Sequence, residues 1–168
     1  SGLWSGLPVS GSRACRWRID APASAAQKEW LFSNINIPQV VNYLALTALV
    51  RHHDSNSRNW WVARDSEGTG RWEYWHWDMN WTFTTPASDG KGEFLYPGPS
   101  NRLTVALLAD PEIKEMYHRR LRTLADEYLT PGRFEAQWDA ETQPFEADWA
   151  LDRSAWGGRS FSGARTNF

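Results

Sequence analysis

Over 38–50 the chain carries Val40, Val41, Tyr43, Leu44, Leu46, Ala48, Leu49 and Val50, apolar residues on nearly every face of a helix. A helix that is apolar all round has no face to give to water, so it must sit inside. Pro38 suits the first turn, where its missing N–H costs no intrahelical bond. The pattern predicts a buried helix over about 38–52, with the rest of the domain packed around it. It would deliver His52, His53 and Asp54 at its exposed C-terminal end.

The next segment of chain reads as a hairpin. Residues 59–64 (Asn-Trp-Trp-Val-Ala-Arg) are strand-like, and 65–70 (Asp-Ser-Glu-Gly-Thr-Gly) are turn chemistry. Over 71–77 the side chains alternate. Trp72, Tyr74 and His76 share one face, while Glu73, Trp75 and Trp77 share the other. The hairpin would fold the Asp54 loop back onto Asp78. Downstream, 86–100 is rich in Gly, Pro and Ser and reads as a long surface loop. A short helix is expected over 101–108. Asp110-Pro111-Glu112 is a strong start for another, because Asp caps, Pro fits the first position and acid suits the first turn. Ile113, Met116, Tyr117, Leu121, Leu124 and Tyr128 recur there at helical spacing. Thr130-Pro131-Gly132 ends that helix, and a further one over about 134–151 is interrupted at Pro144. The Gly/Ser/Ala/Pro-rich start, 1–27, reads as irregular with a short extended piece around 16–19. The tail from Ser154 reads as frayed. The organisation is therefore an irregular segment (1–29), a core (30–130) and a C-terminal helix with its tail (131–168). The fold class is α+β, mainly helical, around a short antiparallel β-hairpin.

Composition narrows the function classes. At 168 residues and net charge −2, the chain fits one domain or one lobe, with no charge block that would suit nucleic acid. Cys15 is the only cysteine, so no intrachain disulfide can form. No apolar run is long enough to span a bilayer. The opening Ser-Gly-Leu-Trp-Ser-Gly lacks both a Met and a leader pattern, so the expectation is a piece of a longer parent chain. Twelve Trp are the main anomaly. They suit core and cross-strand pairs, and equally stacking platforms for sugars or bases.

A small set of residues carries the chemistry. Asp54 lies just past the negative end of a helix dipole, where a carboxylate gains nothing from capping, so a site explains it better. Asn59 follows it by five positions, and Asp78 stands at the far end of the hairpin. This resembles the spacing of the phosphoryl-transfer half of a protein-kinase site: H-R-D-x-x-x-x-N, then a metal-binding Asp. On that reading Asp54 takes the proton of a substrate hydroxyl, Asn59 offers an amide oxygen to a cation, and Asp78 bridges Mg²⁺ to nucleotide phosphates. Asn80 is an auxiliary metal ligand or a turn residue. His52 orients the loop or meets the helix C-terminus, and His53 stands where kinases usually carry Arg. His76 either faces the site or packs against Trp72, and packing is the expectation. The alternative readings are a solvated loop Asp, a turn Asn and a strand-ending Asp.

Together, Asn42-Tyr43-Leu44-Ala45-Leu46, Asp54 to Asn59 with the following Trp60-Trp61-Val62, Gly70-Arg71-Trp72 and Trp77-Asp78-Met79-Asn80-Trp81-Thr82-Phe83 resemble the spore-coat CotH kinase family over about 30–130. The resemblance implies a kinase C-lobe-like fold, ATP with Mg²⁺ or Mn²⁺, and phosphorylation of Ser/Thr on proteins. It also implies a bacterial, secreted or cell-surface setting. Two positions depart from the family pattern: Asn80 stands where an acid is usual, and Thr84 where Gly often follows. A kinase also needs a nucleotide-clamping Lys with a partner Glu, and the adjacent Lys28 and Glu29 cannot form that strand-to-helix pair. The chain is thus expected to hold the metal-and-base half of a site. Two rivals stand beside this reading. One is a non-catalytic Trp-rich module that binds a surface polymer or protein. The other is a carbohydrate-active hydrolase using Asp54 and Asp78 as a carboxylate pair.

Overall fold

The computed structural model describes residues 19–20, 22–52, 55, 58–83, 95 and 101–157. Its elements are α1 (Ala25–Asn34), α2 (Ile37–Leu49), β1 (Trp60–Arg64), β2 (Trp72–His76), α3 (Arg102–Ala109), α4 (Pro111–Tyr128), α5 (Arg133–Thr142) and α6 (Glu146–Trp156). The architecture is mainly helical α+β with one two-stranded antiparallel sheet, as the periodicities predict.

The helix expected to be buried is the centre, although Pro38, Asn42 and Leu46 leave one stripe of it exposed. Ile37, Val40, Val41, Tyr43, Leu44, Ala45 and Ala48 of α2 are buried, and α2 packs against both α4 and β2. The expected stripe on α4 faces this core: Ile113, Tyr117 and Leu124 are buried, with Met116, Leu121 and Tyr128 packed at its margin. Asp110 caps α4 through its carboxylate, which accepts from the Glu112 and Ile113 amides at 2.9 and 3.1 Å. α3 contributes Leu103, Ala106 and Leu107, and its capping Asn101 accepts at Oδ1 from both the Thr104 amide and the Tyr74 hydroxyl. Tyr74 thereby ties the hairpin to the start of α3.

A hairpin alone is marginal in water, and this one is supported from its β2 edge. Strand register pairs Trp60 with His76 and Arg64 with Trp72, so the backbone groups of Trp72 and Tyr74 point away from β1. The segment entering α2 meets them. The Asn36 amide donates to the Trp72 carbonyl at 2.9 Å. One residue pair does the rest: the Gln39 side-chain amide donates to the Tyr74 carbonyl, and its oxygen accepts from the Tyr74 amide at 2.9 Å. A helix side chain thus stands in for a third strand. Asn36 also donates to the Glu73 carboxylate at 2.6 Å.

Several local features differ from the sequence expectation. The segment read as irregular ends in a helix, α1, capped by Ser24 Oγ on the Gln27 amide. Only Gln27 and Leu31 of α1 are buried, too few to leave a periodic signal. The buried helix stops at Leu49 rather than near His52. By contrast, the interruption expected at Pro144 is present: a tight turn at Gln143–Phe145 separates α5 from α6. α6 runs to Trp156, past the expected onset of fraying at Ser154. The 16–18 part of the expected extended piece, and all of the 86–100 loop except Leu95, lie outside the described residues. No helix among the described residues is long and apolar enough to cross a membrane.

Candidate functional site

The first segment is shaped by how α2 ends. The Arg51 amide donates to the Ala48 carbonyl at 3.1 Å and the His52 amide to the Thr47 carbonyl at 3.0 Å. This pair of bonds is a Schellman stop, which needs a left-handed residue between helix and loop. Arg51 takes that role with φ 52°, where glycine is usual. The turn throws the chain back on the helix and carries His52 inward, to 2% exposure. His52 is therefore buried, not displayed at an exposed helix end. Its carbonyl accepts from Ser55 Oγ at 3.0 Å. His53 and Asp54 lie outside the described residues, and with them the Asp54–Asp78 carboxylate separation.

The second segment lies against the first. The Trp77 amide donates to the Asn59 carbonyl at 3.2 Å, so Asp78 leaves the hairpin beside Asn59. Farther on, the Phe83 amide donates to the Val50 carbonyl at 2.7 Å, satisfying one of the orphan carbonyls at the end of α2. Asp78 itself is exposed, has φ 48° and ψ 63°, and precedes a single tight turn over Met79–Trp81; its side chain makes no capping bond to that turn. Asn80 lies in the turn and is exposed. Among the described residues, the non-glycine residues with positive φ are Arg51, Asn59, Asp78 and Phe83. Asn59, Asp78 and Phe83 fall in the two segments singled out from the sequence, and Arg51 immediately precedes the first. Each costs roughly 1–3 kcal/mol and persists only where surroundings over-determine it, a pattern that concentrates at functional sites.

Behind Asp78 sits a half-buried histidine. His76 stacks on Tyr43 of α2, with ring centroids 4.3 Å apart and 25° between planes, rather than packing chiefly with Trp72. Tyr43 in turn meets Tyr74 edge-on at 5.1 Å. Both His76 ring nitrogens are buried without a hydrogen-bond partner among the described residues. Burial, and after it the nearby His52 ring, pushes the His76 imidazole down to about 4. Burial likewise pushes the Tyr43 hydroxyl up to about 12, with the Thr47 hydroxyl beside it acting in the opposite direction. Folding thus favours neutral His76. Its contribution is complete above the unfolded value of 6.5 and is lost as pH falls through about 4. Stability should therefore fall by about 2 kcal/mol across that window, a figure discounted for the partial exposure of the residue. Denaturant midpoints at pH 7 and pH 5 test this: His76→Phe should flatten the difference, and an unchanged slope would refute it.

Polar Gln39 and aromatic Tyr43 are the supports that sequence reasoning missed. Gln39 shares its helix with the polar Asn42 and Thr47, so the sequence carries no signal that singles it out.

The tryptophans divide by strand face. Trp60 and Trp72 turn inward and pack at the core margin, whereas Trp61, Trp75 and Trp77 are 52%, 54% and 59% exposed. Trp61 lies across from Trp75 in register and meets Trp77 edge-on at 6.0 Å. An aromatic surface thus adjoins the Asn59–Asp78 corner.

Chemically, that corner offers one carboxylate and two side-chain amides, hard oxygen donors of the kind that suit Mg²⁺ or Mn²⁺ shared with phosphate oxygens. An all-protein cage of three or more His, Cys, Asp or Glu does not occur among the described residues. Metal–phosphate sites of this sort do not require one, since the substrate supplies ligands. A family model described as "CotH kinase protein" matches residues 17–168. No curated protein and no solved structure matches the chain.

Proposed function

This chain belongs to the CotH kinase family, and from that premise we propose that it serves phosphoryl transfer from a metal–ATP complex to a Ser or Thr hydroxyl of a protein, as part of a longer secreted or surface protein. The observation that supports this most is the pair of backbone bonds, Trp77 to Asn59 and Phe83 to Val50, that hold the two segments side by side. In this reading Asp78 and Asn59 hold Mg²⁺ or Mn²⁺, with Asn80 auxiliary. The bound metal–nucleotide supplies the phosphoryl group and neutralises its charge. Asp54 orients the substrate hydroxyl and takes its proton. His52, anchored by its own backbone, fixes the direction in which the Asp54 loop leaves α2. Most of the work is positioning and electrostatics rather than covalent chemistry.

Calorimetric titration of Mn²⁺–ATP into the wild type and into Asp78→Ala tests the assignment. Wild-type binding that vanishes with EDTA and weakens at least about tenfold in Asp78→Ala is expected, since the variant loses the only carboxylate of the donor set. Equal binding by both proteins, or none by either, rejects it. The exposure of Trp61, Trp75 and Trp77 favours a second reading, a polymer-binding surface module. A soluble glucan titrated in the same cell, bound by wild type and not by Trp61→Ala, would select that reading where nucleotide binding is nil.

A further inference from the structure

We propose that Phe134 of α5 is a positioning residue for the Asp78 segment, acting through Phe83. Three observations meet at this point. Phe83 is left-handed, with φ 54°, a conformation that a bulky residue holds only under restraint from its surroundings. Its amide is fixed to the Val50 carbonyl at 2.7 Å, but a backbone bond on one side does not fix the ring. The ring meets Phe134, with centroids 5.7 Å apart and planes at 58°, and Phe134 in turn meets Trp138, tilted by 41°, at 5.9 Å. Phe134 and Trp138 are four residues apart and share one face of α5.

The character of α5 gives this contact its meaning. None of its residues is buried, so the helix adds nothing to the core that α2, α3 and α4 build. Gly132, at φ 83°, turns the chain after α4, and Arg133 ties the start of α5 back to Glu127 at 3.3 Å and over the Tyr128 ring. A helix set in place this way, with no core role, presents the Phe134 ring, backed by Trp138, to the end of the segment that begins at Asp78. Phe134 holds Phe83, Phe83 restrains the tight turn Met79–Trp81, and the turn sets where the Asp78 carboxylate stands.

The proposal rests on the metal–nucleotide reading in one readout only, so the experiment has two. Hydrogen exchange at the Phe83 amide reports the coupling directly. Phe134→Ala should speed it about two- to tenfold, the worth of one aromatic pair, with amides around Tyr117 in α4 unchanged. Phe134→Leu keeps bulk without the ring and should show the same local rise, which decides the matter if the alanine variant does not fold. Phe134→Tyr should exchange like the wild type. In parallel, Mn²⁺–ATP affinity should fall by a similar factor in Phe134→Leu. Unchanged exchange at Phe83, or a rise matched at Tyr117, overturns the proposal. If the wild type binds no Mn²⁺–ATP, the metal–nucleotide reading falls, while the exchange measurement still decides the coupling.

Discussion

Replacing Asp54 by Asn is expected to cut phosphoryl transfer by about 10²–10⁴-fold, the usual worth of a positioned general base. The side chain keeps its size and one oxygen, so the loop after His52 should keep its shape. On the proposed assignment, what it loses is the ability to take a proton from the attacking hydroxyl. Metal–nucleotide binding should therefore stay within about twofold of wild type, because the base meets the acceptor and not the cation. Asp78→Ala should show the opposite split, losing binding first. Initial rates on a protein acceptor, set beside Mn²⁺–ATP titrations, separate the two. If Asp54→Asn transfers phosphate at the wild-type rate, Asp54 is not the base and the kinase-like spacing that singled it out is coincidental.

Gln39→Ala should produce the largest loss of stability reached by a change at one polar residue. The Gln39 amide satisfies both backbone groups of Tyr74, whose residue is 1% exposed. Truncation leaves a buried N–H and C=O without partners, each costing about 1–3 kcal/mol. A total near 2–4 kcal/mol should lower the melting temperature by roughly 5–15 °C. The effect should also reach the site. The hairpin would lose its attachment to α2, and the bonds that set Asp78 beside Asn59 and Phe83 beside Val50 depend on that attachment. Weaker Mn²⁺–ATP binding in Gln39→Ala, at a temperature where the variant is still folded, is the second expected result. A melting temperature within about a degree of wild type would show that water replaces the Gln39 amide at no cost.

Parts of this protein are legible residue by residue. Apolar residues on nearly every face of 38–50 call for burial, and α2 buries seven of its thirteen residues while Pro38, Asn42 and Leu46 form an exposed stripe. Strict alternation over 71–77 assigns faces without any tertiary knowledge: Tyr74 is buried while Trp75 and Trp77 are exposed. Asp110-Pro111 announces α4 because capping is a local hydrogen-bonding matter. Other parts are not. α1 buries only Gln27 and Leu31, so its partners and not its pattern make it a helix. The stop of α2 carries no glycine signal, because the left-handed position holds Arg51 instead of Gly. The same turn takes His52 from the expected exposed end into the interior, so the burial of His52 is hidden for the same reason.

The candidate site divides in the same way. Sequence alone determined its ingredients, the residue types and spacings of His52, Asp54, Asn59, Asp78 and Asn80, because those follow from covalent order and the local periods of helix and strand. It also determined that a hairpin must return the chain toward the end of α2. Only the tertiary structure decided how the return is held: Asn59 to Trp77, Val50 to Phe83, Gln39 to Tyr74, and Phe83 to Phe134 across 51 positions of chain. Contacts between residues far apart in sequence carry no local signature. They form because orphan carbonyls, sheet-edge amides and aromatic rings must find partners once the core has closed, and which partners are in reach is settled by packing alone.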